Sequence, residues 1–265
     1  MGALTGKNAV VTGAASGMGK AIALAYLKEG ANVVAVDINE QRLQEFEAEV
    51  AAMGQGDQFA WTKCNVTKDE DCENVFKFCA EKFGVCNVLS QNAGIMDNFA
   101  MAADIDNDVW DRVIAINMTG VMKICRAAVR DFLANDVKGN IVVITSDAVQ
   151  QQCTGGASYV ASKCGAHGVV RAFAYGYANK GIRINEIGPG QTKTNIKESL
   201  PPSGMNMDGA KYYMSTGYNA HKSEWVYKSV FAPEDVTPIA VFLASDASAS
   251  LCGELLLANG GLCLG

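Results

Sequence analysis

The chain has few prolines, few histidines and no run of basic residues, and each shortage excludes a class of protein. Five prolines among 265 residues are too few for a collagen-like or linker architecture. A hydrophobic fraction of 49% with a net charge of −6 excludes a disordered chain, which would lack the apolar residues needed for a core. We therefore expect a compact globular protein.

Consecutive basic residues and long apolar segments are also missing. The 22 Lys and Arg residues are outnumbered by 28 Asp and Glu residues and form no basic run, so we expect no nucleic-acid partner. Apolar runs such as 141–144 are far shorter than the roughly 20 residues of a membrane helix, so we expect no membrane span. Residues 1–7 lead directly into an apolar segment without a secretory leader, and we expect a cytoplasmic protein.

Metal ligands are equally scarce. The nine cysteines include no CxxC pair, and only His167 and His221 are present to complete a metal site. We therefore expect no metal and predict that the cysteines are reduced, buried side chains. His167 has no assigned chemical partner in the sequence, which favours a position in the core or in a subunit interface.

Short β-branched apolar runs alternate with longer amphipathic stretches along most of the chain. The predicted strands are 8–11, 32–36, 59–62, 85–89, 140–145, 183–187 and 254–258. The predicted helices are 17–29, 40–53, 68–83, 108–135, 158–179 and 234–244. Strict alternation indicates a parallel sheet covered by helices on both faces, because each crossover returns the chain to the same edge. We predict a single doubly wound α/β domain over residues 1–265.

The alternation is interrupted once, at residues 191–231. These 41 residues include two adjacent prolines, four of the eight Tyr and three of the ten Met. A long irregular segment in a compact domain is usually a functional lid or a disordered stretch, and the aromatic content favours a lid. We predict a substrate-binding lid over residues 191–231.

A glycine-rich turn, Thr12-Gly13-Ala14-Ala15-Ser16-Gly17-Met18-Gly19, separates the first predicted strand from the first predicted helix. Such glycines let the backbone approach a pyrophosphate at the helix N-terminus. Asp37 follows the second predicted strand at about the 20-residue distance of a dinucleotide site. Its carboxylate can accept hydrogen bonds from ribose hydroxyls and would repel a 2′-phosphate, which predicts NAD rather than NADP. A helix-capping role is the alternative for Asp37.

A phenol and an ammonium lie one helical turn apart in Tyr159-Val160-Ala161-Ser162-Lys163. Ser146 precedes Tyr159 by thirteen residues and ends a predicted strand, where ligands bind in open parallel sheets. Free tyrosine has a pKa of about 10, and the Lys163 ammonium would favour the phenolate. Tyr159 is therefore the predicted acid/base, and Ser146 the group that stabilises the reacting oxygen. The segment Tyr218-Asn219-Ala220-His221-Lys222 has the same spacing but follows no strand.

Asn117 lies in the segment Ile116-Asn117-Met118-Thr119-Gly120 of the long predicted helix before the Ser146 strand. From there it would hold a water molecule that supplies protons to Lys163, and Lys163 would also reach the nicotinamide ribose. We predict Ser146, Tyr159, Lys163 and Asn117 as the catalytic residues.

Together these motifs resemble the short-chain dehydrogenase/reductase family, and the resemblance covers the whole chain. Further matching pieces are Asn92-Ala93-Gly94, Pro189-Gly190 with Thr194, Pro233-Glu234-Asp235 and Gly260-Gly261. The resemblance implies a Rossmann-type sheet of about seven parallel strands and a homodimer or homotetramer. It also implies an NAD site formed by Gly13, Ser16, Gly17, Met18, Gly19, Asp37, Ile38, Asn65, Val66, Asn92, Ala93, Gly94, Tyr159, Lys163, Pro189, Gly190, Thr192 and Thr194.

Three positions depart from the family pattern. Asn65 stands where an Asp usually contacts adenine, although its side-chain carbonyl can accept the same hydrogen bond. Gln91 replaces the first Asn of Asn-Asn-Ala-Gly, a position expected to support the sheet. Ala258-Asn259 precedes the last glycine pair where Val-Asp is common. None of these departures affects the four predicted catalytic residues.

The predicted lid and the loops beside it are rich in Met, aromatic and Gln side chains. These favour a bulky, mostly apolar ligand over a sugar, although the same side chains would equally pack the lid on the core or on a partner subunit. The residues assigned to the substrate are Met96, Gln150, Gln151, Met205, Tyr212 and Tyr213. The lid also contains Met207, Met214, Tyr218, Trp225 and Tyr227.

Charge is divided unevenly between the lid and the rest of the chain. Residues 191–231 carry five Lys against three acidic residues, a net charge of +2, so the remainder carries −8. A basic, aromatic lid on an acidic body favours an amphipathic anion, such as a steroid with a carboxylate tail, over a neutral polyol.

Within the family, the chain looks most like bacterial hydroxysteroid dehydrogenases, including those that act on bile acids. We therefore expect NAD-dependent interconversion of a secondary alcohol and a ketone on such a substrate. A sugar or polyol dehydrogenase stays open because such enzymes are commonly NAD-linked, whereas a 3-oxoacyl reductase usually takes NADP. A catalytically silent NAD-binding sensor is the alternative of a different class, and the four intact catalytic residues speak against it.

Overall fold

The computed structural model describes residues 2–151, 155–213, 215 and 230–261. Within these residues, seven strands form one sheet in which neighbouring strands are parallel. They are β1 Asn8–Thr12, β2 Asn32–Asp37, β3 Phe59–Lys63, β4 Val88–Gln91, β5 Asn140–Ile144, β6 Arg183–Pro189 and β7 Leu255–Ala258. The predicted doubly wound parallel sheet is confirmed.

Helices cover both faces of the sheet. In the described residues they are α1 Gly17–Lys28, α2 Glu40–Ala52, α3 Asp69–Phe83, α4 Asn107–Ile114, α5 Val121–Ala134, α6 Ala148–Gln151, α7 Ala157–Tyr177, α8 Met207–Tyr213 and α9 Thr237–Ala244. One buried layer joins the sheet to α1, α2 and α9, and the other joins it to α3, α5 and α7. Val10 and Val11 of β1 contribute to opposite layers, as expected for a strand buried on both faces.

The strand order places the functional cleft. Across the sheet the strands run β3-β2-β1-β4-β5-β6-β7, so the direction of winding reverses between β1 and β4. The connections that leave these two strands go to opposite faces, which opens a crevice at their carboxyl ends. The glycine-rich turn follows β1, and the Asn92-Ala93-Gly94 segment follows β4.

Three predicted elements differ from the structure. The helix predicted at 234–244 is observed as a 3₁₀ turn at Pro233–Asp235 followed by α9, Thr237–Ala244. The strand predicted at 85–89 is observed at Val88–Gln91, because Asn8 Nδ2 donates to the carbonyl of Val85 at 3.0 Å and its amide N–H donates to Asn87 Oδ1 at 2.8 Å. The helix predicted at 108–135 consists of α4 and α5 joined by a π-helical turn, Ala115–Gly120. Such turns are frequent at functional sites, and this one contains Asn117.

The predicted lid contains more regular structure than its composition indicates. It includes a short 3₁₀ helix at Asn195–Ser199 and helix α8, so the expectation of an irregular segment is corrected there. Its two ends meet in a parallel bridge between Thr192 and Phe231. The Phe231 amide donates to the carbonyl of Gln191 at 2.8 Å, and the Lys193 amide donates to that of Phe231 at 2.9 Å. Gln152, Met214, Tyr218, Trp225 and Tyr227 lie outside the described residues.

Three expectations from the composition concern membrane helices, cysteines and metal ligands in the described part of the chain. There, no helix combines the length and apolar character needed to cross a bilayer. The seven cysteines in it are free, and five of them are buried. The same residues contain no group of three or more potential metal ligands close enough to hold an ion.

Candidate active site

A cleft of about 400 Å³ opens at the carboxyl edge of the sheet, at the reversal between β1 and β4. Twelve of the predicted coenzyme residues line it. They are Gly13, Ser16, Gly17, Met18, Asp37, Ile38, Asn65, Val66, Asn92, Ala93, Gly94 and Thr194. The fold therefore brings segments from five loops into one site of the size and place expected for a nucleotide.

The backbone of the glycine-rich turn leaves no room for side chains. Gly13 has φ +63°, and a Cβ added there would lie 2.9 Å from the Cα of Ala93. A Cβ on Gly19 would lie 2.1 Å from the carbonyl oxygen of Gly13. The turn can therefore pack directly against the 92–94 segment at the start of α1, and this cradle fits a pyrophosphate at a helix N-terminus.

Asp37 links the end of β2 to this turn. Its Oδ2 accepts a hydrogen bond from the Ala15 amide at 3.2 Å, and its Oδ1 accepts one from the Asn39 amide at 2.9 Å. The side chain that caps α2 is that of Asn39, which accepts from the Arg42 amide at 3.1 Å. The carboxylate of Asp37 retains lone pairs for further donors and lines the cleft, as the coenzyme prediction requires.

Two of the departures from the family pattern have local explanations. Asn65 Oδ1 accepts hydrogen bonds from the amide and the hydroxyl of Thr67, at 3.0 and 2.8 Å, so this oxygen is not free to accept a bond from adenine as expected. Gln91 accepts a hydrogen bond from the hydroxyl of Thr12 and donates to the carbonyl of Ala93 at 3.1 Å. Gln91 thus ties β1 to β4, in the supporting role predicted for it.

A second cavity of about 690 Å³ adjoins the cleft, and Met18 and Thr194 line both. Four further predicted coenzyme residues lie in its wall, and they are Tyr159, Pro189, Gly190 and Thr192. Gly19 and Lys163 are the predicted coenzyme residues that line neither space. Gly19 packs beneath the turn, and Lys163 lies behind Gly94.

Ser146 and Tyr159 come together in the wall of the second cavity. Ser146 follows β5 at the carboxyl edge of the sheet, and Tyr159 lies in the first turn of α7. Their side chains are close enough for the Ser146 hydroxyl to act on the pKa of Tyr159. Ser146 Oγ accepts from the amide of Ala148 at 3.1 Å and donates to Asp147 Oδ1 at 3.3 Å, which fixes the position of the hydroxyl. One oxygen of a bound substrate can therefore contact both side chains.

Lys163 and Asn117 meet on the other side of Gly94. A Cβ added to Gly94 would lie 3.5 Å from Lys163 Nζ and 3.3 Å from Asn117 Oδ1. Lys163 donates to the carbonyl of Ile144 at 3.1 Å. Asn117 donates to Ile95 O and Ser162 Oγ, at 2.8 and 3.1 Å, and accepts from the Ile95 amide at 2.8 Å. Only the second lone pair of Asn117 Oδ1 is left for the water predicted there.

Burial controls the protonation of the Tyr-Lys pair. It raises the pKa of Tyr159 to about 12, while the nearby Ser146 hydroxyl acts in the opposite direction. Burial also lowers the pKa of Lys163 to about 8, opposed by the carboxylate of Glu186. The direction for Tyr159 is opposite to the one expected from its spacing to Lys163, because loss of solvation outweighs an ammonium 5.7 Å from the ring centre.

The second cavity combines an apolar wall with a basic rim. Its apolar residues include Met96, Phe99, Leu200, Met205 and Tyr213, so three of the predicted substrate residues line it. The exposed Lys193 and Lys197 also line it. Two other predicted substrate residues, Gln150 and Tyr212, are exposed and do not line the cavity, and the side chain of Gln151 lies outside the description.

Asp97 is a buried residue of this site that the sequence does not reveal. Its Oδ2 accepts from the Tyr159 amide at 3.0 Å, and its Oδ1 accepts from the amides of Gly156 and Phe99, both at 3.1 Å. Gly156 is the N-cap residue of α7 and has no side chain to cap the helix, so the carboxylate of Asp97 takes that role. A cap supplied from 59 residues away leaves no local pattern in the sequence.

His167 has a carboxylate partner that was not predicted. Its Nδ1 lies 2.7 Å from Oε1 of Glu186, whose side chain is fully buried in β6. Burial raises the pKa of Glu186, and the hydrogen bond and charge of His167 lower it. His167 lies one helical turn after Lys163 in α7, and neither His167 nor Glu186 lines the cleft or the second cavity.

Comparisons with known proteins agree with this geometry. The family model for short chain dehydrogenases matches residues 7–203. The protein 3beta-hydroxysteroid dehydrogenase 2 of Eggerthella lenta is 37% identical, over 97% of this chain and 95% of its own length. Short-chain dehydrogenase reductase 4 of Arabidopsis thaliana is 33% identical, over 97% and 83%. The crystal structure of a short-chain type dehydrogenase/reductase from Mycobacterium marinum has a TM-score of 0.84 and 26% identity, over 98% of this chain and 96% of that one.

Proposed function

Because the chain belongs to the short-chain dehydrogenase family, we propose that it interconverts a secondary alcohol and a ketone with NAD as coenzyme. One observation carries the proposal: Ser146 and Tyr159 line the same wall of a cavity that adjoins the nucleotide cleft. The alignment of an acid/base, a hydroxyl donor and a nucleotide site suits hydride transfer at a carbon that bears oxygen.

Tyr159 is the proposed acid/base for the reacting oxygen. During oxidation the substrate hydroxyl gives its proton to the Tyr159 phenolate, and during reduction the phenol returns it. Ser146 donates a hydrogen bond to the same oxygen and stabilises the charge that develops on it. When bound, the coenzyme accepts or supplies the hydride, and its oxidised form brings a positive charge. Lys163 contributes a second cation behind Gly94 when it is protonated.

The preference for NAD is proposed from Asp37. Its carboxylate lines the cleft beside the glycine-rich turn and has lone pairs left to accept hydrogen bonds from ribose hydroxyls. A 2′-phosphate in the same place would bring two negative charges together without a free cation in the turn. NAD therefore fits this cleft better than NADP.

The proposed substrate is a bulky amphipathic anion, such as a hydroxysteroid with a carboxylate tail. A cavity of about 690 Å³ with a Met-rich and aromatic wall is large enough for a fused ring system. Lys193 and Lys197 on its rim are placed to attract a carboxylate at the far end of the molecule. The name of the Eggerthella lenta relative, a 3beta-hydroxysteroid dehydrogenase, favours the same class.

The test is a substrate screen with purified protein and NAD⁺, in which NADH formation is followed. The panel contains bile acids, neutral steroids, polyols and 3-hydroxyacyl thioesters. We expect turnover of hydroxysteroids, with bile acids preferred at low salt. Turnover of polyols alone would replace the substrate assignment by the sugar alternative, and turnover of thioesters with NADP⁺ would indicate an acyl reductase. Coenzyme binding without turnover of any class would support the silent sensor.

A further inference from the structure

We propose that Glu198 is a specificity-determining residue for the coenzyme, because it pairs with Arg42 of the cleft and keeps that arginine from a 2′-phosphate. This inference rests on the proposed function, in which Asp37 selects NAD. It concerns a residue of the predicted lid, Glu198, that acts on the nucleotide cleft rather than on the substrate.

Arg42 and Glu198 close one side of the cleft. Arg42 Nη2 lies 2.7 Å from Glu198 Oε2, although the two residues are 156 positions apart in the chain. The other carboxylate oxygen of Glu198 accepts a hydrogen bond from Asn195 Nδ2 at 2.7 Å. Arg42, Asn195 and Glu198 all line the cleft. The carboxylate is thus held in place by two donors, with its charge directed at the guanidinium.

Arg42 has the chemistry that an NADP site requires. A guanidinium presents a planar fork of donors that matches phosphate, and an arginine near the acidic residue of β2 is the usual partner of a 2′-phosphate. Among the described residues that line the cleft, Arg42 is the only basic one. The Asp37 carboxylate also acts on Arg42 electrostatically. Without Glu198, Arg42 would be the obvious recipient of a phosphate on the ribose.

Glu198 removes Arg42 from this role in two ways. The hydrogen bond and the charge of Glu198 raise the pKa of Arg42, because both stabilise the charged guanidinium. A guanidinium that already binds a carboxylate has fewer donors left for a phosphate. In addition, Asp37, Glu198 and Arg42 together give the cleft lining a charge of −1, which repels a 2′-phosphate. Both side chains are partly exposed, so the effect is moderate and weakens with salt.

A second ion pair, between Lys20 of α1 and Glu49 of α2, provides a matched control. Lys20 Nζ lies 2.5 Å from Glu49 Oε2, and neither residue lines the cleft. The substitution Glu49→Ala therefore removes the same charge from an exposed pair that involves α2, but releases a cation outside the nucleotide site.

The experiment measures the dissociation constants of NADP⁺ and NAD⁺ by calorimetry, at low salt and without substrate. The variants are Glu198→Ala, Arg42→Ala/Glu198→Ala and Glu49→Ala, each in the parental chain and in an Asp37→Ala background. In at least one background we expect Glu198→Ala to shift the ratio of the two constants about fivefold towards NADP⁺. The double substitution should abolish that shift, and Glu49→Ala should leave the ratio unchanged.

An unchanged ratio for Glu198→Ala in both backgrounds overturns the inference, and so does an equal shift in the variant that also lacks Arg42. Failure of the proposed NAD preference is a separate result, seen as tighter binding of NADP⁺ than of NAD⁺ by the parental chain. Whichever coenzyme the parental chain prefers, the same titrations give the change in the ratio of the two dissociation constants caused by Glu198→Ala.

Discussion

Asp97 and Tyr159 are joined through the backbone: the carboxylate of Asp97 accepts the Tyr159 amide proton at 3.0 Å, across 62 positions of the chain. The same carboxylate holds the Phe99 amide, so the loop that carries Met96 and Phe99 is fixed to the helix that carries the predicted acid/base. One buried side chain therefore contacts both the loop that forms part of the wall of the second cavity and the backbone of the predicted acid/base.

The substitution Asp97→Ala should reduce both stability and turnover. It leaves three backbone N–H groups without their acceptor, and we expect a loss of about 2 kcal/mol in the free energy of unfolding. Turnover should fall because Tyr159 loses its fixed position, which denaturant titration and initial rates would measure together. The control is Asp106→Ala, which removes the cap of α4. An equal loss of turnover in that variant would contradict a specific role for Asp97.

The conservative substitution Asp97→Asn gives an electrostatic readout. The charge of Asp97 raises the pKa of Tyr159, so its removal should lower that pKa. Since oxidation requires the phenolate, the rise of kcat/KM with pH should move to lower pH in the variant. A pH profile that keeps its position while turnover falls would indicate that Asp97 acts through structure alone.

Replacing Tyr159 by Phe should lower kcat by at least about 10²-fold, since the substrate proton then has no acceptor. NAD binding should persist, because most of the proposed contacts lie in the adjoining cleft. The matched control is Tyr175→Phe, on the same helix but 94% exposed. Initial rates and calorimetric titration of NAD⁺ separate the two effects, and near-parental turnover would refute the mechanism.

Asp37→Ala should relax coenzyme selection by removing the carboxylate that would repel a 2′-phosphate. We expect kcat/KM for NADP⁺ to rise relative to NAD⁺ by about tenfold, equivalent to ~1.4 kcal/mol. The exposed Asp57, outside the cleft, provides the control Asp57→Ala. Unchanged discrimination in Asp37→Ala would refute the assignment.

The buried Lys163 should destabilise the protein in a pH-dependent way. Its pKa is about 8 in the folded chain against 10.5 in the reference state, so between these values the unfolded chain binds more protons. The free energy of unfolding of the parent should therefore rise with pH in this window, by up to about 1.4 kcal/mol per unit, relative to Lys163→Met. Urea titrations at pH 8, 9 and 10 test this, with the exposed Lys180→Met as control. Parallel pH curves for the parent and Lys163→Met would exclude the effect.

Lys193→Gln and Lys197→Gln should weaken the use of carboxylated steroids more than that of neutral ones. Both lysines line the second cavity at its exposed rim, so each should contribute a few-fold to KM at low salt and little at high salt. The control is Lys180→Gln, outside both cavities. Better turnover of neutral than of carboxylated steroids at low salt would show that the charge of the lid is incidental.

Sequence periodicity predicted the fold because the spacing of apolar residues within each strand and helix indicates which face of that element is buried. The alternation from residue 8 to residue 258 determined the sheet, and the spacing of Gly13, Asp37, Ser146 and Tyr159 placed these residues at one edge of it. The π-helical turn at Asn117 was not predictable from the pattern, since apolar spacing does not distinguish one added residue inside a continuous helix.

The parts that the sequence did not reveal depend on distant contacts. The cap from Asp97, the pair of Arg42 with Glu198 and the carboxylate beside His167 each join residues from separate elements. The pKa of Tyr159 was expected to fall because the spacing shows Lys163 but not the depth of burial. Contact partners and solvation are properties of the packed chain, so local patterns do not contain them.

The bridge between Thr192 and Phe231 makes the predicted lid an exchangeable module. Because its two ends are adjacent and paired, the segment can be replaced by one of different length without changing the separation of β6 and α9. A further anchor is the hydrogen bond from the Asn206 amide to the carbonyl of Asn98, at 2.8 Å. Substrate range can thus be altered by exchange of the part of the lid after Ser199, provided that the new segment keeps a donor for the carbonyl of Asn98. Such an exchange would leave Thr194 and Glu198 of the nucleotide cleft in place.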